Sequence, residues 1–366
     1  MTERNKKAII IGGSYAGFLA LKTLLKSSRV KLDITMISPS RMAYFNAAAP
    51  RLLVEPKLVE QTVYSIPESI KKLASGTIHQ VNFYKGSVSK VNLDERLVAV
   101  GDNKLDYDNL IITSGARTKT AVFKLDNTRD EMYTLDAIKT VSSDIKKAHS
   151  IAVIGGGSTG VETASEIAYN SHDKKVTLFT GSSGPLSGLA SSSMTSEATT
   201  KLKKLGIEII NDTLVDVDGN FIVFPDGTKR EFDLIIESSG TIPNTEFLPK
   251  KVLNSFGLIE TDEYLRVVGY PNVIAAGDVV GLGTGTIFNL KYDQEPVLVR
   301  TLEYEVLDDK SVKLRPYSQP TSFTSFTPIG KDGGVGMVFG WHAPNFLVRS
   351  LKSKDFMIPK SSSHFT

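Results

Sequence analysis

Two glycine-containing turns are the features of this sequence with the most definite chemical meaning. Gly155, Gly157 and Gly160 have the spacing G-x-G-x-x-G, directly after an apolar run and at the start of a helical pattern. Gly12 and Gly17 occupy the outer two positions of a similar turn near the start of the chain. A phosphate approaches a backbone closely only where side chains are absent, and a helix N-terminus adds N–H groups and a positive dipole end. Each turn therefore predicts a site for a dinucleotide pyrophosphate; the alternative is a tight strand–helix turn that binds nothing.

The first turn departs from the full spacing, because Ser14 stands at its middle position. Neither turn is followed, about 20 residues on, by the acid that usually holds a ribose 2′-hydroxyl. Ser38 and Thr180 stand near those places, and no arginine follows at 182 or 183 to hold a 2′-phosphate. The sequence therefore leaves both NADH and NADPH open. The predicted contacts around the first turn are Gly12, Gly13, Ser14, Tyr15, Ala16, Gly17 and Ser38.

Strands and helices must hold these turns, and the sequence provides the same succession twice. Four apolar residues, a glycine turn and a helical pattern at 7–25 recur at 150–168, and a second β-like run follows each, at 32–38 and 175–181. This order predicts an α/β protein with two Rossmann-like units. Further short strands are predicted at 81–93, 96–100, 107–113, 206–210, 221–224 and 232–238, and a helix at 296–306 that begins with Pro296.

Composition excludes several classes of protein. The 366 residues suffice for two or three domains, and 41% hydrophobic against 23% charged residues is an ordinary globular balance. The net charge of +3 is too small to indicate a nucleic-acid partner. The chain has no cysteine, which excludes disulfides, Cys-ligated metals and thiol nucleophiles. The histidines lack metal-ligand spacing, so no metal site is predicted. A redox enzyme with this sequence must move electrons without a protein dithiol.

Targeting patterns are also missing from the sequence. The apolar run after residues 1–7 is too short for a signal peptide, and Thr2 excludes N-myristoylation. The longest uncharged stretch, 176–196, is too polar in its second part to cross a bilayer. We expect a cytoplasmic protein that contacts a membrane at most peripherally, with mitochondrial association left open.

A third motif completes an ordered set. The segment Asn272–Asp278 is a short apolar strand that ends in Gly-Asp. With both glycine turns, the Thr-Ser-Gly turn at 113–115 and the segment Ser239–Asn244, it resembles the two-dinucleotide-binding-domain flavoproteins over nearly the whole chain. The resemblance implies FAD in the first unit and NAD(P)H in the second, with further FAD contacts at Ser114, Gly115 and Asp278. It also implies an FAD domain of residues 1–125 and 250–300, an NAD(P)H domain of residues 126–249 and a C-terminal element of residues 301–366.

Within that superfamily the chain is similar to the apoptosis-inducing-factor-like branch, which includes the ferroptosis-suppressor NAD(P)H:quinone reductases. The segment Asn46–Arg51 resembles the branch's flavin-side segment, which implies that Arg51 contacts the cofactor. Lys85–Val88 resembles its adenine-side strand, where Val88 would meet adenine through its backbone. Residues 334–336 and 351–355 resemble its C-terminal element. The departures are Ser14, the missing ribose acid and Thr2 in place of the myristoylated glycine of the animal quinone reductases.

Two charged residues are candidates for chemistry at the cofactors. Glu162 follows Gly160 by two positions and matches the family's Gly-Val-Glu, which implies that it holds the nicotinamide-side ribose; the alternative is a first-turn acid that complements the helix dipole. Lys291 stands where the resemblance places a helix against the flavin pyrimidine edge, and a cation there would stabilise the anionic reduced flavin. The alternative for Lys291 is a solvated surface lysine.

The resemblance implies an FAD-dependent oxidoreductase that passes hydride from NAD(P)H to flavin and on to a quinone-like acceptor, without a redox disulfide. A reductase of a small electron-transfer protein and a flavin-binding signalling protein with low turnover remain as alternatives. The oligomeric state is left open.

The segment that follows Pro344 allows two placements. Its apolar residues can share one side of a helix that lies on a lipid surface, with the cations at the headgroups; the alternative is that this side packs on the flavin domain or a second subunit. Trp341 is interpreted as a packing residue. The apolar residues are Phe346, Leu347 and Leu351, and the cations are Arg349, Lys352 and Lys354.

Overall fold

The computed structural model describes residues 4–125, 132–188, 191–282, 285–320 and 324–366. The helices are α1 Tyr15–Leu24, α2 Ala49–Leu52, α3 Ile66–Ala74, α4 Tyr133–Lys147, α5 Ser158–Asn170, α6 Ser192–Lys204, α7 Ile287–Asn289, α8 Glu295–Glu305 and α9 Asn345–Val348. The strands are β1 Lys6–Ile11, β2 Leu32–Ser38, β3 Met42–Tyr44, β4 Val63–Ser65, β5 Gln80–Lys85, β6 Val88–Asn92, β7 Leu97–Val100, β8 Asn103–Asp106, β9 Asn109–Ile112, β10 Ala116–Arg117, β11 Ser150–Ile154, β12 Lys175–Phe179, β13 Glu208–Ile210, β14 Asp216–Asp218, β15 Phe221–Val223, β16 Lys229–Glu231, β17 Leu234–Glu237, β18 Ile242–Pro243, β19 Arg266–Val267, β20 Tyr270–Ala275, β21 Ser325–Pro328, β22 Gly334–Val338 and β23 Trp341–His342. Turns of π-helix cover Leu290–Gln294 and Arg349–Ser353, and 3₁₀ turns cover Asn46–Ala48, Pro56–Thr62, Lys250–Val252 and Ile358–His364.

The unit that contains the first glycine turn is called the first half below, although two of its strands come late in the chain. It is built on a sheet with the strand order β19-β20-β9-β1-β2-β5. Strand β1 lies between β9 and β2 and is parallel to both. Its residues alternate between two cores: Ala8 and Ile10 pack towards the helices, whereas Ile9 and Ile11 pack towards the small sheet β6-β7-β8. Burial on both faces explains why β1 is a continuous apolar run, as is typical of parallel strands.

The second half repeats this plan on the sheet β13-β12-β11-β17, whose neighbouring strands are parallel. Ile151 and Val153 of β11 share a core with helix α5, and Ala152 packs on the other face with the small sheet β14-β15-β16. Strands β10 and β18 pair across the halves, with Ala116 opposite Pro243.

The C-terminal element contacts both halves. Its sheet β21-β22-β23 packs on α5 and α6, and the 3₁₀ turn Ile358–His364 packs on α1. Phe365, directly after that turn, belongs to the same core as Phe18 of α1 and Ile167 of α5. The last residues of the chain are therefore bound into the main core.

The predicted α/β class with two Rossmann-like units is confirmed. The run predicted at 32–38 is strand β2, and the helix predicted at 296–306 is α8, Glu295–Glu305. The strands of the two sheets fall inside the predicted cofactor domains, whose limits stay predictions.

Candidate functional site

The two glycine turns have the same close approach between strand and helix. Gly12 has φ +114° and Gly155 has φ +129°, a left-handed region in which side chains are strained. A Cβ atom on Gly17 would overlap the carbonyl oxygen of Gly12, and one on Gly160 would overlap that of Gly155. The outer glycines are therefore required by the protein itself, whether or not a ligand is bound.

The middle position of each turn, unlike the outer positions, has room for a side chain. A Cβ atom on Gly157 would have no described neighbour within 4 Å. Ser14 occupies the equivalent place in the first turn, and its side chain makes no N-cap hydrogen bond with the described residues. Both helix N-termini thus keep N–H groups that no side-chain cap occupies, as a phosphate requires.

The predicted FAD contacts of the first half meet at the carboxyl edge of its sheet. A Cβ on Gly13 would lie 3.2 Å from Ser38 Cβ, and the Gly86 N–H donates to the Ser38 carbonyl at 3.0 Å. Val88 begins the next strand after Gly86. On the other side of β1, Ser114 Oγ donates to the Asn244 carbonyl at 2.7 Å.

The Gly-Asp motif lies at this same edge. A Cβ on Gly277 would lie 3.2 Å from Ala16 Cβ of α1, and the Gly277 N–H donates to Gln294 Oε1 at 2.8 Å. The Asp278 carboxylate pairs with Lys124, whose side chain is 20% exposed. The structure therefore brings Asp278 next to the first glycine turn and provides it with a cation.

Tyr15 belongs to the first turn and has a buried hydroxyl with no hydrogen-bond partner among the described residues. Burial raises its pKa well above the usual value; the nearby backbone N–H groups of Ala47 and Asn46 oppose the increase without reaching good hydrogen-bond geometry, and the electrostatic influence of Tyr44 and Asp278 adds to it. A buried hydroxyl without a partner is costly, and it is a donor available to a polar ligand at this edge.

Helix α5 of the second half carries two buried carboxylates one turn apart. Glu162 is 3% exposed and Glu166 is fully buried. Lys352 Nζ lies 2.6 Å from Glu162 Oε1, and Arg51 Nε lies 2.6 Å from Glu166 Oε2. Burial raises the pKa of both carboxyl groups, and each cation opposes that increase. Each acid is thus neutralised by a cation from another part of the chain.

Arg51 connects three segments of the molecule. Besides its two bonds to Glu166, its Nη2 donates to the Ser353 carbonyl at 2.9 Å and its Nη1 to the Lys354 carbonyl at 3.2 Å. Its guanidinium also lies 4.9 Å from the centre of the Phe356 ring. A contact between Arg51 and flavin stays a prediction; the structure gives Arg51 the role of a buried link between α2, α5 and the C-terminal element.

Lys291 lies in the π-helical turn Leu290–Gln294 and is exposed. Burial lowers the pKa of His364 to about 4, and the charge of Lys291 contributes to that shift. The other π-helical turn carries Lys352. Single turns of π-helix are frequent at functional sites.

In the C-terminal region Trp341 departs from its expected packing role, and the segment after Pro344 follows the second of its two possible placements, packing on the protein. Lys352 does not lie at a lipid-facing surface, because its side chain is 13% exposed and pairs with Glu162. The segment after Pro344 packs on the protein through Val348, which is fully buried. Trp341, interpreted as a packing residue, is 81% exposed.

Sequence reasoning missed the partners of the predicted residues. Glu166 stands four positions after Glu162 on a helix, so the same face was identifiable in advance. Lys124 and Lys352 are far from their partners in the sequence, and no local pattern connects them.

Searches of the described residues found neither a metal-binding group nor a helix suited to span a membrane. No group of three or more His, Asp or Glu side chains in this part of the chain is arranged to hold a metal ion. Among the same residues, no helix combines the length and apolar character that a bilayer crossing requires.

Comparisons with known proteins agree with the geometry of the site. The model of the pyridine nucleotide-disulphide oxidoreductase family matches residues 6–301. Oxidoreductase ptaL from Pestalotiopsis fici is 28% identical, covering 97% of this chain and 98% of that protein. Ferroptosis suppressor protein 1 from Homo sapiens is 25% identical, covering 96% and 94%. The solved sulfide:quinone oxidoreductase of Aquifex aeolicus aligns with a TM-score of 0.76 at 14% identity, covering 98% and 92%, which shows a common fold.

Proposed function

The chain belongs to the pyridine nucleotide-disulphide oxidoreductase family, and from that premise we propose that it reduces a small quinone-like acceptor with NAD(P)H. It is an NAD(P)H-dependent flavin oxidoreductase, with FAD as its cofactor. Ferroptosis suppressor protein 1 is an apoptosis-inducing-factor-like relative over almost the full length of the chain. The quinone acceptor is the part of the function that requires support from this chain's own residues.

The residues of the first half fit FAD. The glycine turn is open at Ser14, and the Tyr15 hydroxyl is buried without a described partner. Asp278 would accept hydrogen bonds from the ribityl hydroxyls, and Lys124 would balance the pyrophosphate charge. Bound FAD supplies the redox chemistry, taking a hydride from NAD(P)H and passing electrons to the acceptor.

The residues of the second half fit the nicotinamide nucleotide. The N-terminus of α5, with Gly157 at its N-cap, would bind the pyrophosphate. Glu162 lies one turn further along α5 and is held in place by Lys352. We assign Glu162 to the nicotinamide-side ribose and Lys352 to its orientation, because a buried carboxylate needs a fixed cation to stay ionised.

The observation that carries the acceptor proposal is an aromatic cluster beside Lys291. Phe288 stacks on Tyr292 with ring centres 6.0 Å apart, and it meets Phe326 edge to face at 5.6 Å. Aromatic rings commonly form the walls of sites for planar apolar molecules. Since the chain has no cysteine, electrons have no protein dithiol to pass through. The cluster and the missing dithiol together favour direct reduction of a small aromatic acceptor.

Anaerobic spectroscopy followed by steady-state turnover tests the proposal. We expect purified protein with about one FAD per chain, bleached by NADH or NADPH and reoxidised rapidly by a soluble short-chain quinone. Reoxidation by a small ferredoxin-type protein, with quinones slow, would establish an electron-transfer-protein reductase instead. Slow reoxidation by every acceptor would support the signalling alternative.

Asp278→Ala tests the cofactor site. Because it removes a polar anchor and leaves Lys124 unpaired, we expect lower flavin occupancy in protein that is still folded. Asp218→Ala, which changes an exposed aspartate in the second half, should keep full occupancy. Equal flavin content in the two variants would remove Asp278 from the FAD site.

Glu162→Gln tests the donor site. Losing a hydrogen bond to a charged group costs roughly 1.5–3 kcal/mol, so kcat/KM for NAD(P)H should fall about tenfold or more while FAD content is retained. Glu231→Gln, at an exposed glutamate of the same half, is the matched control. Unchanged donor kinetics in fully flavinated Glu162→Gln would reduce Glu162 to a residue that complements the helix dipole.

A further inference from the structure

Strand β12 ends without the acid that usually holds the adenosine ribose of a dinucleotide, and the residue in that place has its hydroxyl occupied. Thr180 directly follows β12 and is only 6% exposed. Its Oγ1 donates to the Ser182 carbonyl at 2.7 Å and lies 3.1 Å from Asn211 Oδ1. Recognition of the ribose 2′-position must therefore come from another residue.

The loop that follows β12 packs on the second glycine turn. The Leu186 N–H donates to the Gly156 carbonyl at 2.7 Å, and a Cβ atom on Gly156 would lie 2.8 Å from the Thr180 carbonyl oxygen. A nucleotide whose pyrophosphate lies on this turn would have its adenosine ribose beside residues 180–186. Charged groups next to this loop therefore act on the 2′-position.

The loop after β13 brings an acidic residue to the same place. Strand β13 is the parallel neighbour of β12, so the two strands end at one edge of the sheet. The Asp212 N–H donates to the Ser182 carbonyl at 2.9 Å, and Asp212 is exposed. Leu214 is 77% exposed, and a Cβ atom on Gly181 would lie 3.3 Å from its Cδ2. This loop thus places a carboxylate and an exposed apolar side chain next to the end of β12.

The two loops provide no cation for a phosphate. Residues 176–200 and 205–228 contain neither Lys nor Arg. A 2′-phosphate carries up to about two negative charges and is normally held by an arginine. Two acids at and after the end of β17 are each paired with a cation, whereas Asp212 has no ion-pair partner among the described residues. The pairs are Glu237 with Lys119 at 3.0 Å and Glu246 with Arg117 at 2.6 Å.

We propose that Asp212, from the strand next to β12, replaces the missing ribose acid and makes NADH the preferred electron donor over NADPH. Its carboxylate accepts a hydrogen bond from the 2′-hydroxyl of NADH and repels the 2′-phosphate of NADPH. Leu214 offers an apolar contact to the adenosine. The preference rests on the assignment of the second half to the nicotinamide nucleotide in the proposed function, and it is independent of the quinone acceptor.

Anaerobic reduction of the flavin by each nucleotide tests the preference, because this half-reaction needs no acceptor. The flavin absorbance of the flavin-loaded, full-length protein is followed while the concentration of NADH or of NADPH is varied. We expect the apparent second-order rate constant of flavin reduction to be about tenfold or more larger with NADH. The reason is that NADPH loses a hydrogen bond to a carboxylate and adds a repulsion.

The variants are chosen so that folding is preserved. Asp212 has φ +52°, a conformation that Asn also tolerates, so Asp212→Asn removes the charge and keeps the turn. We expect its preference for NADH to fall to about twofold or less. Adding Ser183→Arg, at an exposed serine after β12, should turn the preference towards NADPH, because a guanidinium pairs with the 2′-phosphate. Asp173→Asn is the matched control, since Asp173 is exposed but precedes β12 at the opposite edge of the sheet.

The ratio of the two rate constants separates specificity from folding, because a distorted loop would weaken both nucleotides alike. A wild-type protein without a preference for NADH would overturn the proposal, as would an Asp212→Asn variant that keeps the wild-type ratio. Either result leaves the proposed quinone reduction in place. A flavin that neither nucleotide reduces would contradict the donor site of the proposed function and the role of Asp212 together, so the two failures are distinguishable.

Discussion

The two nucleotide-binding halves share a turn and differ along the helix that follows it. Counted from the last glycine of each turn, Gly17 or Gly160, the second and sixth residues are Leu19 and Thr23 in α1 but Glu162 and Glu166 in α5. The Thr23 hydroxyl is satisfied within its own helix, by the Leu19 carbonyl at 2.9 Å. The two acids of α5 reach cations of other segments instead.

The C-terminal element is attached to the two helices by different forces. On α5 the contacts are the buried ion pairs of Lys352 and Arg51, and Arg51 also binds two C-terminal carbonyls. On α1 the buried contacts are rings: Phe365 lies 5.1 Å from Tyr15 and 5.7 Å from Phe18 between ring centres. At the surface, Lys22 Nζ of α1 also donates to the Ser363 carbonyl at 2.8 Å. The two halves therefore share the turn that we propose to bind a nucleotide, and the helix positions that differ between α1 and α5 determine which side chains hold the C-terminal element.

The largest effect is expected from breaking a pair on α5. Glu166→Gln leaves the buried Arg51 guanidinium with only the longer 3.6 Å contact to Glu55, and losing the close partner costs up to about 3–5 kcal/mol of unfolding free energy. Denaturant unfolding of the flavin-loaded protein measures the loss. The double variant Arg51→Met/Glu166→Leu should recover most of it, because an apolar pair of similar volume is often neutral. A Glu166→Gln protein as stable as the wild type would show that the pair adds little to the attachment.

The ring contact with α1 should cost slightly less to break and should respond differently to salt. Phe365 is fully buried, and Phe365→Ala should lower the unfolding free energy by about 3 kcal/mol through a cavity at α1. The loss should be the same at low and high salt, because Phe365→Ala removes no charge. Phe256→Ala, at an exposed ring, should be nearly neutral. A strong salt dependence of the Phe365→Ala loss would contradict the distinction between the two attachments.

The loss of folding stability at acidic pH should come from His364, whose ring lies against Tyr15 of α1. Burial lowers the pKa of His364 to about 4, with smaller contributions from Lys291 and Lys22. Between about pH 6.5 and 4 the unfolded chain binds a proton that the folded protein does not, so stability is lost as the pH falls through this window. Because His364 is only partly buried, the loss is about 1–3 kcal/mol. His364→Gln should flatten the stability profile over this range, whereas His172→Gln, at an exposed histidine, should not. Parallel profiles for wild type and His364→Gln would remove the histidine from the acid response.

The smallest effect is expected at the middle of the first turn. Ser14→Gly gives this turn the full spacing of the second one, and the space at the equivalent Gly157 is open. Exchange of Ser for Gly at a helix N-cap changes stability by only a few tenths of a kcal/mol, so FAD affinity should change by about twofold or less. Titration of FAD into deflavinated protein measures it. A loss of tenfold or more would mean that the Ser14 hydroxyl binds the cofactor directly.

Much of the fold follows from the sequence because its signals are local. The apolar runs within β1, β2, β11 and β12 each precede or follow a glycine turn, and parallel strands buried on both faces are largely apolar. The order of the motifs identified the family without any contact between distant residues. The same local reasoning allowed Lys352 to be a headgroup cation in one of two placements and interpreted Trp341 as a packing residue, whereas Lys352 pairs with Glu162 and Trp341 is exposed.

The sequence by itself determined that this protein has two glycine-turn units, a strand that ends in Gly-Asp and no dithiol, because each of these depends on the identity and spacing of neighbouring residues. Only the tertiary structure decided which cations face Glu162, Glu166 and Asp278, since those partners are separated from them by 115 to 190 residues. It also decided which rings are exposed, because burial depends on what packs against a side chain and not on its type. Ion pairing and exposure are properties of chain segments that meet in space, and such meetings leave no periodic pattern in a single sequence.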